Sequence, residues 1–223
     1  MQQLFILFLA TITLMTFSNS NAMTISAESN VVKKTADISQ FKEFIFVSNH
    51  KYEDAEKLVQ DMEQAAIDSQ TNKISLGNLI DFSKEREDLA LQGTINLKFS
   101  GANQVSSLIE QIADQTLFHL GLPFTNANRE LYQEKISNAF INLKEQEHMD
   151  WFDIHSDGDS NSPTTYTYNM VFLIERDAVF LALPLILTVE IDTTEEKVLN
   201  LTKNDFINYE LRQRGLRIMQ LVN

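Results

Sequence analysis

Between residues 178 and 191 the chain offers water almost nothing. The odd positions Val179, Leu181, Leu183, Leu185, Leu187, Val189 and Ile191 are all aliphatic, and the even positions read Phe180, Ala182, Pro184, Ile186, Thr188 and Glu190. Side chains of a strand alternate between the two faces of its sheet, so this segment is apolar on both faces over its first half. A sheet containing it needs cover on both sides, which helices supply. The expected fold class is therefore α/β: a single-domain, three-layer α/β/α sandwich in which helix pairs cover a largely antiparallel sheet.

The rest of the chain supplies the material. Residues 41–47 are aromatic and β-branched and read as a strand. Over 52–70, Ala55, Leu58, Val59, Met62, Ala65 and Ala66 recur at helical spacing, with Asn49 placed as cap and Glu53, Asp54 and Glu56 in the first turn. A second helix is expected over 76–91 behind Ser75. Residues 94–99 alternate Ile95, Leu97 and Phe99 with Thr94, Asn96 and Lys98, bounded by Gly93 and Gly101, and read as a half-buried strand. A helix over 103–120 buries Val105, Leu108, Ile109, Ile112, Ala113 and Leu120 and stops at Gly121-Leu122-Pro123. Another over 129–145 carries Leu131, Tyr132, Ile136, Ala139, Phe140 and Leu143. Strands are expected at 149–155, 165–175, 178–191 and 196–202.

The N-terminus differs in kind. Residues 4–17 form a nearly unbroken apolar run, Ser18-Asn19-Ser20-Asn21-Ala22 follows, and no charged residue precedes Glu28. An apolar core too short to span a bilayer, ending in small residues, is the pattern of a signal peptide cleaved after Ala22; a buried N-terminal helix is the competing reading. The expected organisation is a signal peptide at 1–22 and one domain at 23–223, since no Pro/Gly/Ser-rich linker divides the remainder. The absence of cysteine excludes disulfides, thiolate metal sites and cysteine nucleophiles. The net charge of −13 opposes nucleic acid as a partner, and makes apolar burial or contact with zwitterionic headgroups the route to any membrane.

Chemistry-bearing residues gather only at His148, Asp150, Asp153, His155, Asp157 and Asp159. Asp157, Asp159 and Asn161 open like a calcium loop and are weak metal candidates. Ser162 stands where the loop's glycine belongs, and Tyr168 where its bidentate glutamate belongs. A polar hairpin tip explains the same residues. No nucleophile elbow, zinc-binding helix or phosphate loop occurs. No metal, cofactor or enzymatic activity is expected.

Thr165-Tyr166-Thr167-Tyr168-Asn169-Met170-Val171-Phe172 resembles the Thr/Asn-Tyr-Thr-Tyr-Asn strand of the Cyt δ-endotoxin cytolysins. Trp151-Phe152 upstream resembles the strand leading into it. Leu183-Pro184, Leu187-Thr188-Val189-Glu190-Ile191 and Glu196-Lys197-Val198-Leu199 resemble the family's proline-containing strand and the strand after it. The match covers about residues 150–210, and the order of strand, helix pair, strand, helix pair before it is the family's layout. The resemblance implies a secreted toxin that binds membrane phospholipid, self-associates on membranes and perforates or lyses them after its helices part from the sheet. The membrane-insertion candidates are then Tyr166, Tyr168, Met170, Phe172, Val179, Leu181, Leu183, Leu185 and Leu187. The alternative is a non-lytic relative using the same sandwich as a virulence or colonisation factor that binds a lipid or another apolar ligand.

Overall fold

The structure, a computed structural model, describes residues 40–156 and 162–222. Its elements in chain order are β1 (Lys42–Phe46), α1 (Tyr52–Ala66), α2 (Leu76–Glu85), β2 (Leu89–Gln104), α3 (Val105–Leu120), α4 (Asn126–Ser137), β3 (Phe152–Ser156), β4 (Thr164–Arg176), β5 (Val179–Ile191), α5 (Glu195–Leu199) and β6 (Phe206–Leu221). The sheet runs β1-β4-β5-β6-β2, and β3 pairs with β4 beside β1. Only β1 is parallel to its neighbour; the other pairings are antiparallel.

The doubly apolar strand sits in the middle, as its composition demands. Leu181, Leu183, Leu185, Leu187, Val189 and Ile191 point into a core shared with α3 and α4, through Leu108, Ile109, Ile112, Leu117, Tyr132 and Ile136. Phe180 and Ala182 point the other way, into a second core built with α1 and α2 from Leu58, Val59, Met62 and Leu79. The three layers are therefore α1–α2, sheet and α3–α4.

Several boundaries differ from the sequence expectation. Asn49 opens a 3-10 turn, Asn49–Lys51, instead of capping α1. Ser75 does cap α2, accepting from the Asn78 N–H at 3.3 Å. That helix ends at Glu85 because Arg86 turns onto Asp88 and Asp61, and Leu89 already belongs to β2. The half-buried strand is consequently longer than 94–99, passing through Gly93 and Gly101. α4 stops at Ser137, a separate 3-10 turn covers Leu143–Gln146, and Asn142 between them takes a left-handed φ of 58°.

The segment 196–202 is corrected from strand to helix. Glu195 and Glu196 occupy the first turn of α5, where the helix dipole favours acids, and Val198 and Leu199 dock on the α3–α4 core. The last sheet strand is β6, which that expectation did not contain. Its partner register is continuous with β2 apart from a bulge between Leu91 and Gly93.

Candidate functional site

The nine membrane-insertion candidates occupy neighbouring rows of β4 and β5. The register pairs Tyr168 with Leu187, Met170 with Leu185 and Phe172 with Leu183, and places Tyr166 opposite Val189 and Val179 opposite Arg176. All but Val179, half-buried at the sheet end, are buried beneath α3 and α4. The phenols do not reach water. Tyr166 Oη donates to the Ala139 carbonyl at 2.9 Å and Tyr168 Oη to Gln146 Oε1 at 2.7 Å. Burial raises both phenols well above their ordinary pKa, so they stay neutral donors. Tyr132 of α4 stacks on Phe172 at 5.2 Å between ring centres.

The opposite face is covered over only half its length. Val171, Leu173, Phe180, Ala182, Leu216 and Ile218 lie under α1 and α2. Beyond them, Thr165, Thr167 and Asn169 of β4 and Thr188 of β5 are half-buried, while Glu190, Arg212, Arg214, Asn96, Lys98 and Ser100 are exposed. The register joins these into one polar surface: Thr167 faces Thr188, Thr188 faces Arg212, and Arg212 faces Lys98. In this half, β4, β5, β6 and β2 alternate mainly apolar residues toward α3–α4, Gln213 of β6 excepted, with polar residues toward solvent. β6 was missed by sequence reading, although its signal was present: Ile207, Tyr209 and Leu211 alternate with Asn208, Glu210, Arg212 and Arg214.

The two helix layers are attached differently. On the α1–α2 side, Arg86 bonds Asp61 of α1 at 2.8 Å and also Asp88, which accepts from Gln220 of β6 at 2.6 Å; the Phe41 N–H donates to Glu63 of α1. Among the described residues, no side chain of α3 hydrogen-bonds to the sheet. Polar atoms without a partner collect there instead: both amide atoms of the fully buried Gln213, Arg217 Nε, His119 Nε2 and Tyr132 Oη. Burial and then the Arg217 charge lower the His119 pKa, which favours the neutral ring.

The acidic loop has no such architecture. Asp157, Asp159 and Asn161 lie outside the described residues. His148, Asp150 and Asp153 line an open cleft of about 480 Å³ with Thr167, Asn169 and Arg214. Asp153 is paired with Lys73 at 3.0 Å and His155 is exposed on β3. No group of three or more His, Asp or Glu able to hold a metal ion occurs among the described residues. No described helix is long and apolar enough to cross a membrane.

Comparison with known proteins agrees with the fold. A family model described as Bacillus thuringiensis toxin matches residues 19–223. The Type-2Ba cytolytic delta-endotoxin of Bacillus thuringiensis subsp. israelensis is 27% identical over 194 residues, covering 85% of this chain and 73% of that protein. The Type-2Bb cytolytic delta-endotoxin of subsp. jegathesan is 25% identical over the same extent. The crystal structure of the activated Cyt2Ba monomer from subsp. israelensis superposes with a TM-score of 0.74 at 23% identity, over 83% of this chain and 100% of that one. A delta-endotoxin structure superposes at 0.76 with 24% identity, over 87% of each chain. At these identities the two structures speak for the fold alone.

Proposed function

The chain belongs to the Bacillus thuringiensis toxin family, the Cyt-like delta-endotoxins, and from that premise we propose that it is an exported cytolysin that binds phospholipid directly and disrupts the bilayer with its sheet. Its relatives carry the name cytolytic delta-endotoxin, and a toxin of this family is the coarse reading they support. The finer reading rests on one observation. Four adjacent strands share a half-sheet in which Tyr166 and Tyr168 on β4 and Leu187 and Val189 on β5 are hidden by α3 and α4, while Thr165, Thr167 and Asn169 on β4 and Thr188 and Glu190 on β5 lie on the other face, bounded by the buried Ile186 opposite Asn169. That alternation is what a membrane-inserted sheet needs, with apolar residues toward lipid and polar residues toward a lumen.

Exposing the apolar rows requires α3 and α4 to move away. The unpaired Gln213, Arg217, His119 and Tyr132 atoms lower the cost of that step, because water satisfies them once the layer opens. Residues 1–22 act as the export signal, 23–223 as the toxin domain, and several copies assemble on the membrane. The direct test is dye release from phosphatidylcholine vesicles on adding purified 23–223 protein, with and without protease trimming of its ends. Release is expected; intact vesicles under both conditions would overturn the lytic reading and favour a non-lytic lipid-binding factor.

A further inference from the structure

Two phenylalanines stand in water on either side of one turn. Among the described residues few large apolar side chains are exposed, and Phe118 (64%) and Phe124 (47%) share the α3–α4 connection. Their exposure is built into a pinned loop. Gly121 takes φ +66°, the Leu122 N–H returns to the Leu117 carbonyl at 2.9 Å, Thr125 caps α4, and Asn128 Nδ2 donates to the Pro123 carbonyl at 2.8 Å. Arg129 lies over the Phe124 ring at 5.6 Å and is itself held by both oxygens of Asp114. The ordered turn therefore presents both rings to solvent together.

The turn itself is free of acids, with Asp114 and Glu130 bounding it and Asp177 following Arg176. Residues 115–129 contain no Asp or Glu, in a chain with 31 of them and a net charge of −13. Arg176 reaches the turn: a Cβ placed on Gly121 would lie 3.0 Å from its guanidinium. Arg217 is near enough to His119 to lower its pKa. Neither arginine makes an ion pair among the described residues. Arg176 is also in register with Val179, which faces Leu221, 61% exposed, so the apolar rim continues at that end of the sheet.

We propose that the tip of the α3–α4 hairpin is the surface with which this protein first grips a phospholipid bilayer, Phe118 and Phe124 entering the headgroup–acyl boundary while Arg176 binds lipid phosphate. The proposal rests on the membrane-acting reading above. A bilayer fits the tip better than a protein does. Two rings at a helix turn fall far short of the roughly 800 Å² per partner of a stable protein interface, and a second copy would bring another 13 negative charges. A lipid interface accepts shallow aromatic insertion, and guanidinium forks match phosphate oxygens. The location has a consequence for mechanism: the gripped hairpin is the same layer that hides the apolar rows of β4 and β5.

The test compares vesicle partitioning of 23–223 variants on phosphatidylcholine vesicles. The Phe118→Ser/Phe124→Ser double variant is expected to partition about tenfold more weakly or worse, with thermal unfolding unchanged because both rings are exposed. Phe206→Ser, which alters a 69% exposed ring at the far end of β6, is expected to bind like wild type. A Phe124→Trp variant provides a readout independent of the double variant's folding: on vesicles its emission, corrected for Trp151, moves to the blue and is quenched by brominated acyl chains. Undiminished partitioning of the folded double variant, or unmoved emission of the Phe124→Trp protein, overturns the docking surface and leaves membrane action standing. Wild-type protein that binds no vesicle overturns both readings. Loss of self-association in vesicle-free solution by the double variant assigns the tip to a second copy and also overturns the proposal.

Discussion

At Gly215, β5 and β6 approach too closely to admit a side chain. The β5–β6 register is interrupted between the pairs Ala182–Ile218 and Leu185–Gly215, where Pro184 has no N–H to donate. A Cβ at position 215 would lie 2.6 Å from the Pro184 carbonyl oxygen and 2.6 Å from Leu185 Cδ2. The carbonyl belongs to a central strand and cannot yield, so Gly215→Ala is expected to cost about 1–3 kcal/mol, the usual range for overpacking, measured by urea unfolding. At Asp88 the Arg86 hydrogen bonds, then that of Gln220, hold the carboxyl down at about 2, against an ordinary 3.8. A depressed acid contributes stability that is fully present above its unfolded pKa of about 4 and is lost as pH falls through the folded value. The side chain is 40% exposed, and solvent screening keeps the contribution below about 1 kcal/mol. Asp88→Asn should lose that amount at neutral pH and show a shallower fall in melting temperature between about pH 4 and pH 2.

At the scale of elements, β6 is the strand that makes the sheet and also loosens it. Its Gln213 lies opposite Leu187 and Leu97 on the apolar face under α3, fully buried, with neither amide atom paired. An amide buried without partners costs about 1–3 kcal/mol. Gln213→Leu is therefore expected to raise stability by up to that amount and to slow dye release, since the α3–sheet interface loses a buried, unpaired amide that water would satisfy on opening. A stabilised variant that lyses vesicles faster than wild type would contradict the link between that interface and activity. His119, on the same interface, adds an acid-sensitive element. Its lowered pKa means the folded state prefers the neutral ring, so stability is present above the unfolded histidine value of about 6.5 and declines as pH falls below it. His119→Asn should flatten the melting temperature between about pH 7 and pH 5.5.

The whole molecule must hold two contradictory surfaces, a sheet apolar enough for lipid and an exterior fit for water. It does so by layering, with α1–α2 pinned through Arg86, Asp61, Asp88 and Gln220, and α3–α4 held mainly by apolar contact, the Tyr166 and Tyr168 hydroxyls bonding only the segment after α4. If lysis requires the second layer to lift, tethering it must block lysis. The chain has no cysteine, so one engineered pair, at Leu108 or Ile112 and a facing residue of β5 or β6 at disulfide geometry, forms an unambiguous bond. The oxidised protein should stay folded and spare vesicles, with release restored on reduction; full release by the oxidised form would rule out helix separation. Export makes a further expectation at this scale: N-terminal sequencing of exported protein should begin at Met23, and a start at Met1 would refute cleavage.

The layer order follows from local pattern, because a strand apolar on both faces has one stable environment and amphipathic helices have one face to cover it with. The rows Tyr166, Tyr168, Met170 and Phe172, and Leu181 to Leu187, were legible for the same reason: alternation is a local property. Tertiary structure alone decided three things. It turned Glu195–Leu199 into a helix, since that short stretch has no period long enough to choose and docking of Val198 and Leu199 settles it. It set the register of β6 between β5 and β2, which places a buried glutamine under α3. Above all, it left half of one sheet face uncovered while closing the other, because the reach of a helix pair over a sheet depends on chain geometry between distant segments, and no local pattern carries that distance.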